Sequence, residues 1–322
     1  MIKINYKAYF RNPDFNIDSE FISKIKKPIF EDTKENLFNK FQTFKKQNHL
    51  FRNIFWKISV KEILLAKENE LTKFIILIDE RLNKLSDKHK EIIIKKIQKL
   101  FKYKDKYQNS VLTPFFTSNF NFRTCFYCNK DFITNFDADK FKLNKEVSTF
   151  QLDHFYDKGT YPYLALSFYN LIPSCPTCNS SKVKGSANTF ENNCIAPNSQ
   201  KFDFHQKVKF KLFLDDSCKN LHIKSKDDID INLKEQFTDI YNKYIEIFKL
   251  NERYKAHKDI VFDMIQKAEL YPESRLKELQ NLTGIPFQQI KKDIFNLIDE
   301  NENLSKQPFS KLIIDMAEEL KL

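Results

Sequence analysis

Apolar residues recur at helical spacing over most of this chain. Leu71, Phe74, Ile75, Ile78, Leu82 and Leu85 fall on one stripe, and Ser86-Asp87 opens a second helix carrying Ile93, Ile97 and Leu100. Upstream, residues 13 to about 55 read as helical pieces broken near Pro28, and the run Asp32 to Glu35 starts a helix with Leu37, Phe38, Phe41 and Phe44 on one face. Towards the other end, Phe237, Ile240, Tyr241, Tyr244, Ile245 and Phe248 form a stripe. Helices are also predicted over 254–270, 276–282 and 287–298, with a short one after Pro308. The pattern switches to strict alternation over 207–214, a half-exposed strand; a turn over 215–220 and the runs 221–224 and 228–232 complete a small meander. Val147 to Leu152 reads as a short strand, Met1 to Phe10 as another, and 104–122 as a connection.

The chain has 322 residues, enough for two or three domains. The patterns divide it into a basic helical region (1–118), a cysteine-bearing core (119–200), the β meander (201–232) and a helical region (233–322), an α+β class. No basic start is followed by an apolar stretch and no run of about 18 apolar residues exists, so a soluble cytoplasmic protein without membrane contact is expected. The net charge of +11 is unevenly spread: residues 1–120 carry 25 Lys and Arg against 14 Asp and Glu, 121–230 carry 15 against 13, and 231–322 carry 14 against 16. A basic segment of this kind tracks phosphates or is a solvated lysine-rich surface. Scarce glycine with abundant Lys, Asn, Ile and Phe is what an AT-rich coding sequence produces, which lowers the weight of the lysines. The aromatics interleaved with them read as core.

The chemistry lies between Cys125 and Lys182. Cys125-Phe126-Tyr127-Cys128 and Cys175-Pro176-Thr177-Cys178 are two Cys-x-x-Cys knuckles separated by 46 residues. Each turns two thiolates towards one point, and together they supply the four sulfurs of a closed tetrahedral zinc site. A thioredoxin-like redox pair needs a βαβ setting, which the pattern lacks. Cys194 and Cys218 read as ordinary small residues, and His205 and His222 as structural or solvent-facing. Between and after the knuckles stand Asp153-His154, Asn170 and Asn179, the last at the predicted start of a helix with Lys182 one turn on. A carboxylate and an amide oxygen are hard ligands that suit Mg²⁺, and a neutral imidazole beside them suits a general base.

The run Cys-x-x-Cys, Leu-Asp-His-Phe, Tyr-Pro, Asn-Leu-Ile-Pro-Ser-Cys-x-x-Cys-Asn, Lys over about residues 120–200 resembles the HNH endonuclease family. The resemblance implies a zinc-stabilised ββα-metal core flanked by helical regions, and metal-dependent hydrolysis of phosphodiester bonds, with DNA the expected substrate and RNA left open. It implies that His154 is the general base and that Asp153 and Asn179 hold Mg²⁺ or Mn²⁺. Asn170 would pin the loop between the strands, Cys125, Cys128, Cys175 and Cys178 would bind structural Zn²⁺, and Lys182 and Lys184 would contact nucleic acid. Asn179 stands where the family more often has His, which favours Mg²⁺ or Mn²⁺ over a softer metal. Within the family, the Asp-His-Phe, Asn-Leu-Ile-Pro-Ser-Cys and terminal Pro-Phe-Ser-Lys runs look most like the PtuB nucleases of Septu and retron anti-phage systems. That likeness implies a regulatory ATPase partner.

Each residue has a plainer reading. Asp153 caps a strand end, His154 is a satisfied half-buried histidine, Asn170 a turn residue, Asn179 a helix N-cap and Lys182 a solvated lysine. On that reading the chain is a zinc-stabilised nucleic-acid-binding or scaffold module without catalysis.

Overall fold

In the computed structural model of the chain, which describes residues 1–27, 35–137, 146–214, 223–299 and 303–322, the apolar stripes become helices where a polar side chain closes the first turn. Asn16, Asn36 and Asn48 each accept a backbone N–H three residues on, and Ser59 and Glu62 form a reciprocal capping box. These caps open α1 (Ile17–Ile25), α2 (Leu37–Gln47), α3 (His49–Ile54) and α4 (Val60–Leu65). Next come α5 (Glu68–Asn83) and α6 (Asp87–Leu100), which bury Leu71, Ile75, Ile78 and Leu82, and Ile93, Ile97 and Leu100. The start of the second helix, predicted at Asp32, lies outside the described residues, as does Pro28.

Two compact units result, one of residues 3–122 and 133–202, the other of residues 1–2, 123–132 and 203–322. The first holds α1 to α6, a π-helix over Tyr103–Leu112, α7 (Thr113–Asn119) and four short strands. Of these, β1 (Asn135–Asp137) pairs antiparallel with β2 (Glu146–Ser148), and β3 (Gln151–His154) with β4 (Leu171–Ser174). Every residue of β4 is buried, because aromatic side chains wrap the hairpin. Phe168, just before β4, stacks on Phe116 at 4.9 Å and meets Tyr6 at 5.0 Å. The hairpin loop is tied to α4 by the Ser167 hydroxyl, which donates to the Ile63 carbonyl at 2.7 Å.

The second unit is built on a ribbon of β5 (Val208–Leu214), preceded by the single turn α8 (Phe204–Lys207), and β6 (Ile229–Glu235). Alternation puts Val208, Phe210, Ile229, Ile231 and Leu233 on the buried side. The helices of this unit are α9 (Asn242–Ile247), α10 (Leu250–Lys255), α11 (Lys258–Leu270), α12 (Glu273–Thr283), α13 (Phe287–Phe295) and α14 (Ser310–Glu319). The ribbon is covered by α10 and α14, while α12 and α13 close a smaller apolar cluster around Leu276, Ile290 and Phe295.

Several expectations are corrected. Residues 1–10 form a 3₁₀ turn (Tyr6–Tyr9) rather than a strand, and the supposed connection 104–122 is largely the π-helix and α7. The predicted strand 147–152 is divided between β2 and β3, with Asp153 and His154 inside β3. The stripe beginning at Phe237 starts late: the Glu235 carboxylate accepts the N–H groups of Ile240 and Tyr241 at 3.0 and 2.7 Å, so the helix begins only at Asn242 and Phe237 is left exposed at φ +69°. The predicted turn over 215–220, Cys218 and His222 lie outside the described residues. Among the described residues, no helix is long and apolar enough to cross a membrane.

Candidate functional site

Each knuckle is closed by its own backbone. In the first, the Asn129 N–H donates to the Cys125 carbonyl at 2.7 Å and the Cys125 N–H to the Asp131 carbonyl at 2.9 Å. In the second, which continues directly from β4, the Asn179 N–H reaches the Cys175 carbonyl at 3.2 Å and the Cys178 N–H points at the Cys175 sulfur at 3.4 Å. Cys125, Cys128, Cys175 and Cys178 are buried, and their sulfurs all lie within 4.8 Å of one another. Four thiolates around a tetrahedral zinc at about 2.3 Å stand about 3.8 Å apart, so the donor set fits a metal such as zinc. Cys194 is buried and outside this cluster.

The β3–β4 hairpin positions the rest. Its register sets Asp153 opposite Ile172 and His154 opposite Leu171. Asn170 is fully buried at the end of the intervening loop and spends its side chain on it. Its Oδ1 accepts the Tyr156 N–H at 2.8 Å, and its Nδ2 donates to the carbonyls of Tyr156 and Leu164 at 3.0 and 3.2 Å. This fixes the loop that carries Ala165, whose carbonyl is 2.9 Å from His154 Nε2. A carbonyl only accepts, so Nε2 carries the proton and Nδ1 is the basic nitrogen. Burial, then the positive charge of Lys158, push the imidazole pKa down from 6.5 to about 3; the bond to Ala165 opposes this and Lys184 adds to it. The ring is thus neutral at ordinary pH. Tyr103 meets it edge-on at 4.4 Å, with the Lys158 ammonium 5.7 Å from the tyrosine ring centre.

Asp153 is buried and faces a cation of this chain. The Lys184 ammonium lies 3.2 and 3.1 Å from its two carboxylate oxygens and also donates to the His154 carbonyl at 2.7 Å. The expectation that Lys184 contacts nucleic acid is therefore corrected: a charge this deep persists only because a counter-charge and a carbonyl satisfy it. Lys182 is exposed. Asn179 is half-buried, and its Nδ2 donates to Gln151 Oε1 at 2.9 Å. Gln151 and Asp153 are two apart in β3 and share a face of the strand. That bond uses one amide hydrogen and leaves Asn179 Oδ1 as a hard acceptor.

The predicted helix at Asn179 does not form. Residues 176–186 make successive turns, with the Lys184 N–H on the Cys178 carbonyl at 3.3 Å and the Gly185 N–H on the Ser180 carbonyl at 2.9 Å. Ser180 returns its hydroxyl to the Thr177 carbonyl at 2.8 Å, a local bond that competes with helix, and Gly185 turns the chain at φ +52°. The ββ hairpin is present; the α element expected after it is not.

The site also contains Gln151, Tyr103 and Lys158, none of which sequence reasoning singled out. Gln151 had a signal, being two residues before Asp153 on an alternating strand. Tyr103 had none, since it arrives from a segment that reads as a connection. His205 is half-buried with its Nδ1 lacking a hydrogen-bond partner, and among the described residues it belongs to no metal-binding cluster. No protein-family model, no curated protein and no solved structure matches the chain.

Proposed function

We propose that the chain is a metal-dependent endonuclease of the HNH type that hydrolyses DNA phosphodiester bonds. The reading extends to a role as the cutting component of an anti-phage system with a regulatory ATPase partner. The observation that carries the chemistry is the tautomer of His154. Ala165 holds the proton on Nε2, burial keeps the ring neutral, and Nδ1 is left to take a proton from an attacking water. A nitrogen whose pKa is held near 3 is always unprotonated but weakly basic; an incoming phosphate supplies the negative charge that raises its proton affinity.

Asp153 and Asn179 would hold Mg²⁺ or Mn²⁺, which would polarise the scissile phosphate and stabilise the leaving oxygen. A carboxylate has about four lone-pair positions, so the bond to Lys184 orients Asp153 without exhausting it. Asn170 serves by fixing the loop that fixes the tautomer. The thiolate cluster has the structural part.

One observation favours a second reading, a zinc-stabilised binding module without catalysis: both oxygens of Asp153 already face Lys184. Plasmid cleavage by wild type and His154→Ala, with Mg²⁺, Mn²⁺ or neither, separates the two. The nuclease reading expects metal-dependent cutting that drops about 10²–10⁴-fold in the variant. Equal rates for both proteins would remove His154 from the chemistry.

A further inference from the structure

We propose that the outer face of α6, continued by the π-helix, is a track for the phosphodiester backbone of DNA that leads a strand to His154. The track rests on the nuclease reading only for what happens at its end.

Between Asp87 and Lys106 eight lysines stand against three carboxylates. Their placement matters more than their number. In α6 the face formed by Ile93, Ile97 and Leu100 is buried. Lys88, Lys95 and Lys99 follow one another by seven and four residues, the spacing of a single helical face, and all three are exposed. Glu91 sits beside Lys95 at 2.5 Å and leaves the stripe net positive. At 1.5 Å per residue the stripe is about 17 Å long, the axial length of about five nucleotides at 3.4 Å each.

The stripe leads to the hairpin. After α6 the π-helix buries Tyr103, Tyr107 and Leu112 and exposes Lys104, and Lys102 just before it is exposed too. Those two lysines flank Tyr103, whose ring touches His154 at 4.4 Å. Lys158, exposed on the hairpin loop, places its ammonium 5.7 Å from the centre of the same ring. The body of α6 packs on Pro162–Leu164, the turn immediately before Ala165. The stripe thus runs in the chain directly into the segment whose Tyr103 touches His154. Lysines spaced along one face bind phosphates without reading sequence, so the contact positions a strand and leaves target choice elsewhere.

The test is equilibrium binding of a labelled DNA duplex, by fluorescence anisotropy, in buffer without added divalent metal and at several salt concentrations. Wild type is compared with Lys88→Gln/Lys95→Gln/Lys99→Gln/Lys102→Gln and with a control set, Lys267→Gln/Lys277→Gln/Lys291→Gln/Lys292→Gln, all checked by thermal melting. Each lost phosphate contact flattens the plot of log K against log salt by about 0.9. The track variant is therefore expected to be shallower by about 3 to 4, with the control set like wild type. An unchanged slope in the track variant, an equal loss in the control set, or no DNA binding by wild type overturns the proposal. Cleavage is scored separately. A wild type that binds through the track but never cuts sinks the nuclease reading alone, and one that cuts with its salt slope unmoved by the track substitutions sinks the track alone.

Discussion

The two knuckles carry the same five-residue pattern, Cys-x-x-Cys-Asn, and use the asparagine in opposite ways. Asn129 is fully buried in the left-handed region at φ +53°. Its Oδ1 accepts the Lys311 N–H at 3.0 Å, and its carbonyl accepts the Phe309 N–H at 2.7 Å. Its Nδ2 is shared among Thr124 Oγ1 and the carbonyls of Leu304 and Gln307, each at 3.3 Å. That side chain has nothing left to offer a ligand, and it fastens the first knuckle to the start of α14. Asn179 is half-buried, makes one side-chain bond to Gln151, and keeps its Oδ1. The thiolates of a knuckle follow from its local sequence. What the next residue does is decided by which elements pack beside it, and an asparagine is a candidate ligand only where its oxygen is unspent.

The largest effect is expected from removing the metal. Metal binding to four thiolates contributes on the order of 10 kcal/mol to the folded state. A chelator strong enough to strip zinc should therefore collapse the thermal transition and release about one zinc per chain. Cys125→Ser and Cys175→Ser should weaken metal retention alike, because each removes one of four equivalent donors. Full retention in one of them would show that the other knuckle holds metal by itself. An unchanged melting temperature after complete zinc removal would refute the structural role of the cluster.

Next in size is the asparagine pair. Asn129→Ala removes several buried hydrogen bonds and puts a side chain that dislikes positive φ at +53°; the expected cost is about 3 kcal/mol. Asn179→Ala removes one half-exposed bond, costing about 0.5 kcal/mol or less, while plasmid cleavage should fall about 10²-fold or more with loss of a ligand. Denaturant melts and cleavage rates on both variants test the contrast. Similar stability losses in the two, or full activity in Asn179→Ala, would erase it.

The helices were legible in the sequence where the apolar stripe was clear: α6 begins at Asp87 as expected, though the Ser86 side chain makes no cap bond, and Leu71, Ile75, Ile78 and Leu82 face inward. The cysteine cluster was legible because its spacing is its geometry. The turns after Cys178 were not, since a serine-rich run near a knuckle serves a helix start and a turn equally well. Nor was the fate of the lysines. Lys184 looked like a phosphate contact and is buried on Asp153, 31 residues away in sequence. Lys311, the last residue of the terminal Pro-Phe-Ser-Lys run, is fully buried, bonding Asp315 at 2.7 Å and the Val208 carbonyl at 2.6 Å. Asp315 is one helical turn from Lys311, but Asp153 and the Val208 carbonyl are distant partners chosen by packing, which periodicity does not encode. Of the expected meander, the strands 208–214 and 229–235 pair as a two-stranded ribbon, while residues 223–224 of the run 221–224 are not in a strand and 221–222 lie outside the described residues; the way the backbone folds after the second knuckle was not legible either.

The smallest effect separates the two units by pH. Each holds a neutral histidine with its pKa lowered from 6.5 to about 3, chiefly by loss of solvent: the buried His154 in one, the half-buried His205 in the other. Where the folded pKa is depressed, the unfolded chain takes up a proton that the folded chain refuses, so stability is complete above about 6.5 and is lost as pH falls towards 3. The two rings differ in satisfaction, because His154 Nε2 has Ala165 while His205 Nδ1 has no hydrogen-bond partner. His205→Leu should therefore cost little above pH 7, where it removes an unsatisfied buried nitrogen. Below pH 6.5 it should gain on wild type by up to about 1.4 kcal/mol per pH unit. Cleavage at neutral pH should be untouched, since His205 has no part in the proposed chemistry. Urea melts of wild type and His205→Leu at pH 7.5, 6 and 5 measure the difference. A gap that stays constant across the three would mean that the folded chain takes up the His205 proton as readily as the unfolded chain, and the burial argument for His205 would then fail.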